Sequence, residues 1–295
     1  MQSLIGTGVA VVTPFSMDGA VDYPSLKKII KHLIEGKVEY LVALGTTGEV
    51  PSLTDKEERE ILDTFFQECE GKIPVVIGVG GNATEFIVNR TKEYVKAYPQ
   101  AEAILSVSPY YNKPTQEGII AHYSRIAEST DKPIILYNVP HRTGSNMTAA
   151  TTLELASIPN IVAMKEASGN MAQIMRLLKD KEDDFLILSG DDPLSLPMLA
   201  LGGKGTISVS ANAFPLIFSN MVRAGLAGEM EEARRLHHQL LDVTGLLFKE
   251  GNPAGVKAAM HLRGLLEPHV RLPLIAASDK LREEIALHMP IGILE

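Results

Sequence analysis

The chain has 295 residues, 45% hydrophobic and 22% charged, with a formal net charge of −8. That balance excludes a disordered chain, and with no stripe of Lys/Arg it argues against nucleic acid or an anionic membrane as partner. No 18 apolar residues run together and no basic segment leads into an apolar one at the start, so a cytoplasmic protein with no membrane span is expected.

The first strand is expected at Gly8 to Thr13, followed by an amphipathic helix from Tyr23 to Glu35. Further strands are expected at Tyr40 to Leu44, Pro74 to Val79, Ala103 to Val107, Pro133 to Asn138, Ile161 to Glu166, Phe185 to Ser189 and Gly205 to Val209. Between them lie helical patterns at Thr54 to Glu70, opened by the capping box Thr54-Asp55-Lys56-Glu57, at Thr84 to Tyr98, at Gln116 to Ser129, and four shorter ones. Eight continuous apolar strands, each followed by a helix, predict an α/β fold: a parallel (β/α)8 TIM barrel covered on its outside. An open doubly wound sheet is disfavoured, because no Gly-x-Gly-x-x-Gly follows the first strand and no Gly-x-x-x-x-Gly-Lys-Ser/Thr occurs. After about residue 225 only helical patterns remain: Met230 to Phe248, Pro253 to Arg263 and Asp279 to His288. Residues 1–225 are therefore expected to form the barrel and 226–295 a C-terminal helical domain. The single cysteine, Cys69, cannot form an internal disulfide and is expected to be structural.

The sixth strand ends in a lysine. Side chains alternate along a strand, so Ile161, Ala163 and Lys165 are expected on one face, with Val162 and Met164 on the other. If the lysine's face is the barrel lumen, desolvation disfavours the ammonium form and leaves an amine able to form a Schiff base with a carbonyl. In such barrels the carboxyl ends of the strands build the active site. The second strand here ends in Gly45-Thr46-Thr47-Gly48-Glu49, the fourth in Ser108-Pro109-Tyr110-Tyr111-Asn112 and the fifth in Tyr137-Asn138-Val139-Pro140-His141-Arg142-Thr143-Gly144. The sixth ends in Lys165-Glu166 and the seventh in Ser189-Gly190-Asp191-Asp192. Each has an ordinary explanation alone: a turn, aromatic packing, a surface ion pair, a lysine paired with a carboxylate. Their convergence at one barrel mouth argues for chemistry. An amine nucleophile, a phenol and relay hydroxyls are what forming and breaking an imine with an α-keto acid requires. Backbone amides of the Gly45 to Gly48 turn can hold the keto acid's carboxylate, and Arg142 can clamp a second one. The residues thus point to imine-forming aldol addition or cleavage on a small acidic carbonyl compound. No metal and no cofactor are expected: His237 and His238 are adjacent on a helix and cannot both face one ion, and no His-Glu-x-x-His occurs.

These five motifs, in this order and spacing, resemble the dihydrodipicolinate synthase family, and the resemblance runs from about Gly6 to the final helix. It implies a (β/α)8 barrel with a helical C-terminal domain that condenses pyruvate with L-aspartate 4-semialdehyde, giving 4-hydroxy-tetrahydrodipicolinate in the diaminopimelate route to lysine. By resemblance, Lys165 forms the pyruvate Schiff base, and Tyr137, Thr46 and Tyr111 relay protons, with Tyr111 lent by a neighbouring subunit of a homotetramer built as a dimer of dimers. Arg142 would hold the semialdehyde carboxylate and Thr47 the pyruvate carboxylate, while Gly190 and Ile207 would line the pocket through their backbones.

Departures and rivals follow from the same comparison. His141 stands where serine is common, and Ala254-Gly255 stand where Ile-Pro is expected. N-acetylneuraminate lyases and keto-deoxy sugar acid aldolases share the lysine and the tyrosine but lack an arginine like Arg142. A barrel using Gly202-Gly203-Lys204-Gly205 as an anion cradle is disfavoured, because that loop precedes its strand and so lies at the barrel bottom. Lysine-sensitive relatives are matched at Asn82 and Tyr110 but not at Val50-Pro51, Asp55, Glu58 or Phe86, with Phe86 replacing an acidic residue and Glu85 adjacent to it. Weak or absent inhibition by L-lysine is expected.

Overall fold

Eight apolar runs close into one parallel barrel in the computed structural model, which describes residues 2–290. The strands are β1 (Gly6–Ala10), β2 (Tyr40–Ala43), β3 (Val75–Gly78), β4 (Ala103–Val107), β5 (Ile134–Asn138), β6 (Ile161–Glu166), β7 (Leu186–Ser189) and β8 (Gly205–Ser208). They pair in sequence order, and β8 returns to β1 through Gly6–Gly205 to Val9–Ser208. Closure at that seam needs glycine. A Cβ on Gly205 would lie 2.1 Å from the Gly6 carbonyl oxygen, and its φ of +152° is one that other residues rarely adopt. A Cβ on Gly203 would meet the Met198 carbonyl oxygen at 2.8 Å and Gly202 has φ +103°, so close backbone packing and backbone conformation account for the glycines of the 202–205 loop.

The helices are α1 (Tyr23–Glu35), α2 (Asp55–Cys69), α3 (Thr84–Ala97), α4 (Gln116–Ala127), α5 (Pro140–Thr143), α6 (Ala149–Leu155), α7 (Met171–Asp180), α8 (Ser195–Ala200), α9 (Pro215–Leu226), α10 (Met230–Lys249), α11 (Ala254–Leu262) and α12 (Asp279–His288). Local signals explain their starts. Asp22 accepts from the Ser25 amide at the head of α1, and Thr54 and Glu57 form the full capping box of α2. In α1 the stripe Leu26, Ile29, Ile30 and Leu33 is fully buried, which stabilises by about 1.5–3 kcal/mol per side chain. Helix α9 packs on β1 and β8 and against α10, which carries α11 and α12. Cys69 is buried, and burial pushes its thiol up to about 12, leaving it inert. Among the described residues no helix is long and apolar enough to cross a membrane.

Two strand expectations need correction. The first strand begins two residues earlier than Gly8 and ends at Ala10: the Val11 amide still donates to the Val42 carbonyl at 3.1 Å, but the Val12 amide donates instead to Asn212 Oδ1 at 3.2 Å. In β6, Ile161 does not share a face with Ala163. Ile134 pairs with Ile161 but Ile135 pairs with Ala163, so a bulge at Val162 rotates the strand start by one residue. Ile161 consequently packs in the outer layer, while Ala163 packs in the lumen with Tyr40, Leu105, Ile135, Leu188 and Ile207.

Candidate active site

Past the bulge the alternation is regular, so Lys165 follows Ala163 toward the lumen. Tyr137 of β5 is its direct neighbour in the register, and Lys165 Nζ lies 4.2 Å from the centre of the Tyr137 ring. Lys165 is only 4% exposed. Behind it Gly190 leaves space for the stem: an added Cβ would sit 2.9 Å from Lys165 Cγ and 3.0 Å from Cε. Lys165, Tyr137 and Gly190 thus form one packed unit. Ile207 is buried in the same lumen cluster on β8.

The outward side of the same strand ends is a polar scaffold. Glu166, fully buried, accepts from the Ser168 amide (2.6 Å), Asn138 Nδ2 (3.1 Å) and Gln173 Nε2 (3.1 Å), which fixes the end of β6. Asp192 accepts from the amides of Val209 (3.1 Å) and Ser210 (2.6 Å), tying the loop after β7 to the end of β8. Burial, more than the hydrogen bonds, sets its proton affinity and raises its pKa above the ordinary carboxylate range.

The Gly45–Glu49 motif follows β2 as a 3-10 turn over Thr46–Gly48. Thr47 is buried and its hydroxyl accepts from Asn252 Nδ2 at 3.0 Å. Thr46 faces a cavity of about 720 Å3 that Gly45, Tyr110, Tyr137, Arg142 and Thr143 also line. Lys165, Thr47, Gly190 and Ile207 lie outside that lining. The cavity extends instead across α2 and α3 to Asp55, Glu58, Phe86 and Arg90. Arg142 is exposed on the one-turn helix α5, and no ion pair engages it among the described residues. His141 beside it titrates below its ordinary range, through burial first and the Arg142 charge second. Tyr111 does not join the others within this chain: it is 86% exposed, with φ +74°. That is a rare conformation for a bulky aromatic residue.

Sequence reasoning passed over a second buried lysine. Lys257 is fully buried in α11 and donates to Glu49 Oε1 at 2.5 Å and to the His269 carbonyl at 2.8 Å. The signal was available: Ala254 to Met260 is an apolar run with one charge in it, and such a charge needs a partner. Gly255 in that run permits close helix packing, since a Cβ there would meet the Leu247 carbonyl oxygen at 2.2 Å.

A sequence profile of the dihydrodipicolinate synthetase family matches residues 3–289. A 4-hydroxy-tetrahydrodipicolinate synthase of Parabacteroides distasonis is 47% identical over 286 residues, covering 95% of this chain and 96% of that protein. The crystal structure of a dihydrodipicolinate synthase from Cyanidioschyzon merolae with lysine bound superposes with a TM-score of 0.94 at 39% identity, covering 99% of both chains. A dihydrodipicolinate synthase variant described as monomeric superposes with a TM-score of 0.94 at 38% identity, covering 97% of this chain and 96% of that one.

Proposed function

The chain belongs to the dihydrodipicolinate synthetase family, and on that premise we propose that Lys165 is the amine through which its site acts. The reaction is the condensation of pyruvate with L-aspartate 4-semialdehyde, giving 4-hydroxy-tetrahydrodipicolinate in the diaminopimelate route to lysine. The enzyme is a carbon–carbon lyase of the class I aldolase type.

One observation carries the assignment of roles: a buried lysine amine held 4.2 Å over the ring of Tyr137, with Gly190 reserving space for its stem. The amine adds to the keto carbon of pyruvate, water leaves, and an imine remains. Loss of a methyl proton gives an enamine whose carbon attacks the semialdehyde's aldehyde carbon. The substrate's own amine then displaces Lys165 and closes the ring. Tyr137 and Thr46, both on the cavity wall, are the proton carriers in this scheme, with Tyr111 of a neighbouring subunit completing the path. Thr47 and the amides of its turn hold the pyruvate carboxylate, beside the backbones of Gly190 and Ile207. The free guanidinium of Arg142 takes the semialdehyde carboxylate as a bidentate partner. The protonated imine is itself the electron sink, so the scheme calls for no metal or cofactor.

The exposure and φ of Tyr111 support an assembly in which a partner covers it, and we infer a homotetramer of two tight dimers in the cytoplasm. Incubation with pyruvate and borohydride tests the central role. A covalent adduct is expected on Lys165 with loss of activity, and none in Lys165→Ala; an adduct mapped to another lysine overturns the assignment.

A further inference from the structure

The turn assigned to the pyruvate carboxylate is gripped from outside the barrel. Glu49 closes it with φ +56°, a left-handed conformation that a residue with a Cβ adopts only when its surroundings hold it there. Its carboxylate is 2% exposed and is fixed at both oxygens: Lys257 Nζ donates to Oε1 at 2.5 Å, and the Arg271 amide donates to Oε2 at 3.0 Å. Lys257 is fixed in turn by the His269 carbonyl and by the face of Phe15, 4.4 Å away. Two residues earlier in the turn, Asn252 Nδ2 donates to Thr47 Oγ1 at 3.0 Å. That bond is the only one Asn252's side chain makes among the described residues, because its Oδ1 is buried without a partner. A hydroxyl that accepts from Asn252 has its own hydrogen directed elsewhere, which leaves Thr47 a donor for an anion.

Stability alone does not account for this arrangement. A buried ion pair contributes little compared with apolar side chains of the same volume, and its best-attested use is to fix one geometry. We propose that Asn252 and Lys257, both on the C-terminal helical segment, are positioning residues for the Gly45–Glu49 turn, so that this segment sets the enzyme's affinity for the carboxylate of its keto-acid substrate. The inference rests on the assignment of that turn to pyruvate under the proposed function. Lys257 acts through Glu49 and Asn252 through Thr47; neither touches the reacting atoms.

Three variants of the full chain test it: Asn252→Ala, Lys257→Met, and Lys257→Met combined with Glu49→Gln. Asn252→Ala removes one hydrogen bond from a half-buried side chain. It is expected to raise the pyruvate KM by about threefold to tenfold, the equivalent of one hydrogen bond, with kcat, semialdehyde KM and melting temperature changed little. Lys257→Met alone leaves a lone buried carboxylate and is expected to melt lower. In the double variant the charge is gone, so melting should recover while the pyruvate KM stays raised. Hydrogen exchange at the amides of residues 46–49 should quicken in all three variants. A wild-type pyruvate KM in Asn252→Ala overturns the proposal, as does a KM that recovers together with melting temperature in the double variant. The underlying assignment fails separately, by wild-type enzyme that traps no pyruvate on Lys165; exchange at 46–49 still decides the anchoring in that case.

Discussion

Replacing Gly190 with alanine puts one methyl group where Lys165 needs the space. The new Cβ would lie 2.9 Å from Lys165 Cγ, 3.0 Å from Lys165 Cε and 2.9 Å from the Ala167 Cβ. Carbon atoms are at their optimum separation near roughly 3.5–4.0 Å, so about 0.5–1 Å has to be recovered on each side. The φ of Gly190 lies outside the left-handed range, so alanine can adopt this backbone and the whole effect is contact. Of the groups it meets, the lysine stem is the one with rotatable bonds, and it is the one that shifts. Overpacking of this kind destabilises by about 1–3 kcal/mol. A displacement of about 1 Å at a reacting group lowers the rate by roughly a hundredfold, or about 2.7 kcal/mol in transition-state stabilisation. Gly190→Ala is therefore expected to lose about two orders of magnitude in kcat/KM for pyruvate, with adduct formation under borohydride slowed in parallel and melting lowered by only a few degrees. Steady-state kinetics, timed trapping and a thermal melt measure the three quantities. Wild-type kinetics from a folded Gly190→Ala enzyme would refute the claim that the glycine is reserved for the lysine.

Arg142→Ala leaves the semialdehyde carboxylate unpaired, so kcat/KM for the semialdehyde should fall by about tenfold to a hundredfold while pyruvate trapping on Lys165 continues; equal damage to both steps would contradict the clamp. Mixing Tyr111→Phe subunits with Lys165→Ala subunits should restore activity in hybrid dimers, and no recovery despite demonstrated subunit exchange would argue against sharing. L-lysine should inhibit weakly or not at all. Arg90 lies in the cavity with its guanidinium 5.3 Å from the Phe86 ring and 5.4 Å from the Tyr94 ring, and Asp55 (2.7 Å) and Glu58 (3.5 Å) already neutralise it. Glu85 is paired with Arg125 (3.4 Å) rather than facing that space, and half-inhibition at submillimolar lysine with pyruvate saturating would overturn the expectation.

Eight apolar runs separated by amphipathic stretches made the barrel legible, because the strand count and the following helices are local features of the chain. The bulge at Val162 was not legible, and the reason is physical. Both faces of a parallel strand are buried, so Ile161, Val162 and Ala163 are all apolar and no alternation exists for an inserted residue to break. The end of β1 was misplaced for a related reason: Val11 and Val12 are as apolar as the ladder residues before them, and the acceptor that takes the Val12 amide out of the ladder is the side chain of Asn212, about two hundred residues on. The position of the motifs at the strand ends was legible, because each follows its strand directly in the chain. The anchoring of Thr47 by Asn252 and of Glu49 by Lys257 was not, since each partner lies more than 200 residues from its target.

The two buried lysines separate burial from reactivity. Both side chains are buried, yet their surroundings differ. Lys257 has a carboxylate at 2.5 Å and a carbonyl at 2.8 Å. Burial still outweighs that partner and brings it down to about 8. Its amine is enclosed on all sides, so no substrate can approach it. Lys165 has no carboxylate within ion-pair distance among the described residues; what faces its amine is the ring of Tyr137, which also forms part of a cavity wall. The ordinary explanation for a lysine in an apolar strand, a structural pair with an acid, is thus the one that fits Lys257 in its helix. At the end of β6 the pair is missing, and the side chain beside the amine is a phenol that can carry a proton. The absence of an acid beside Lys165, more than its burial, is what supports the nucleophile's role proposed for it.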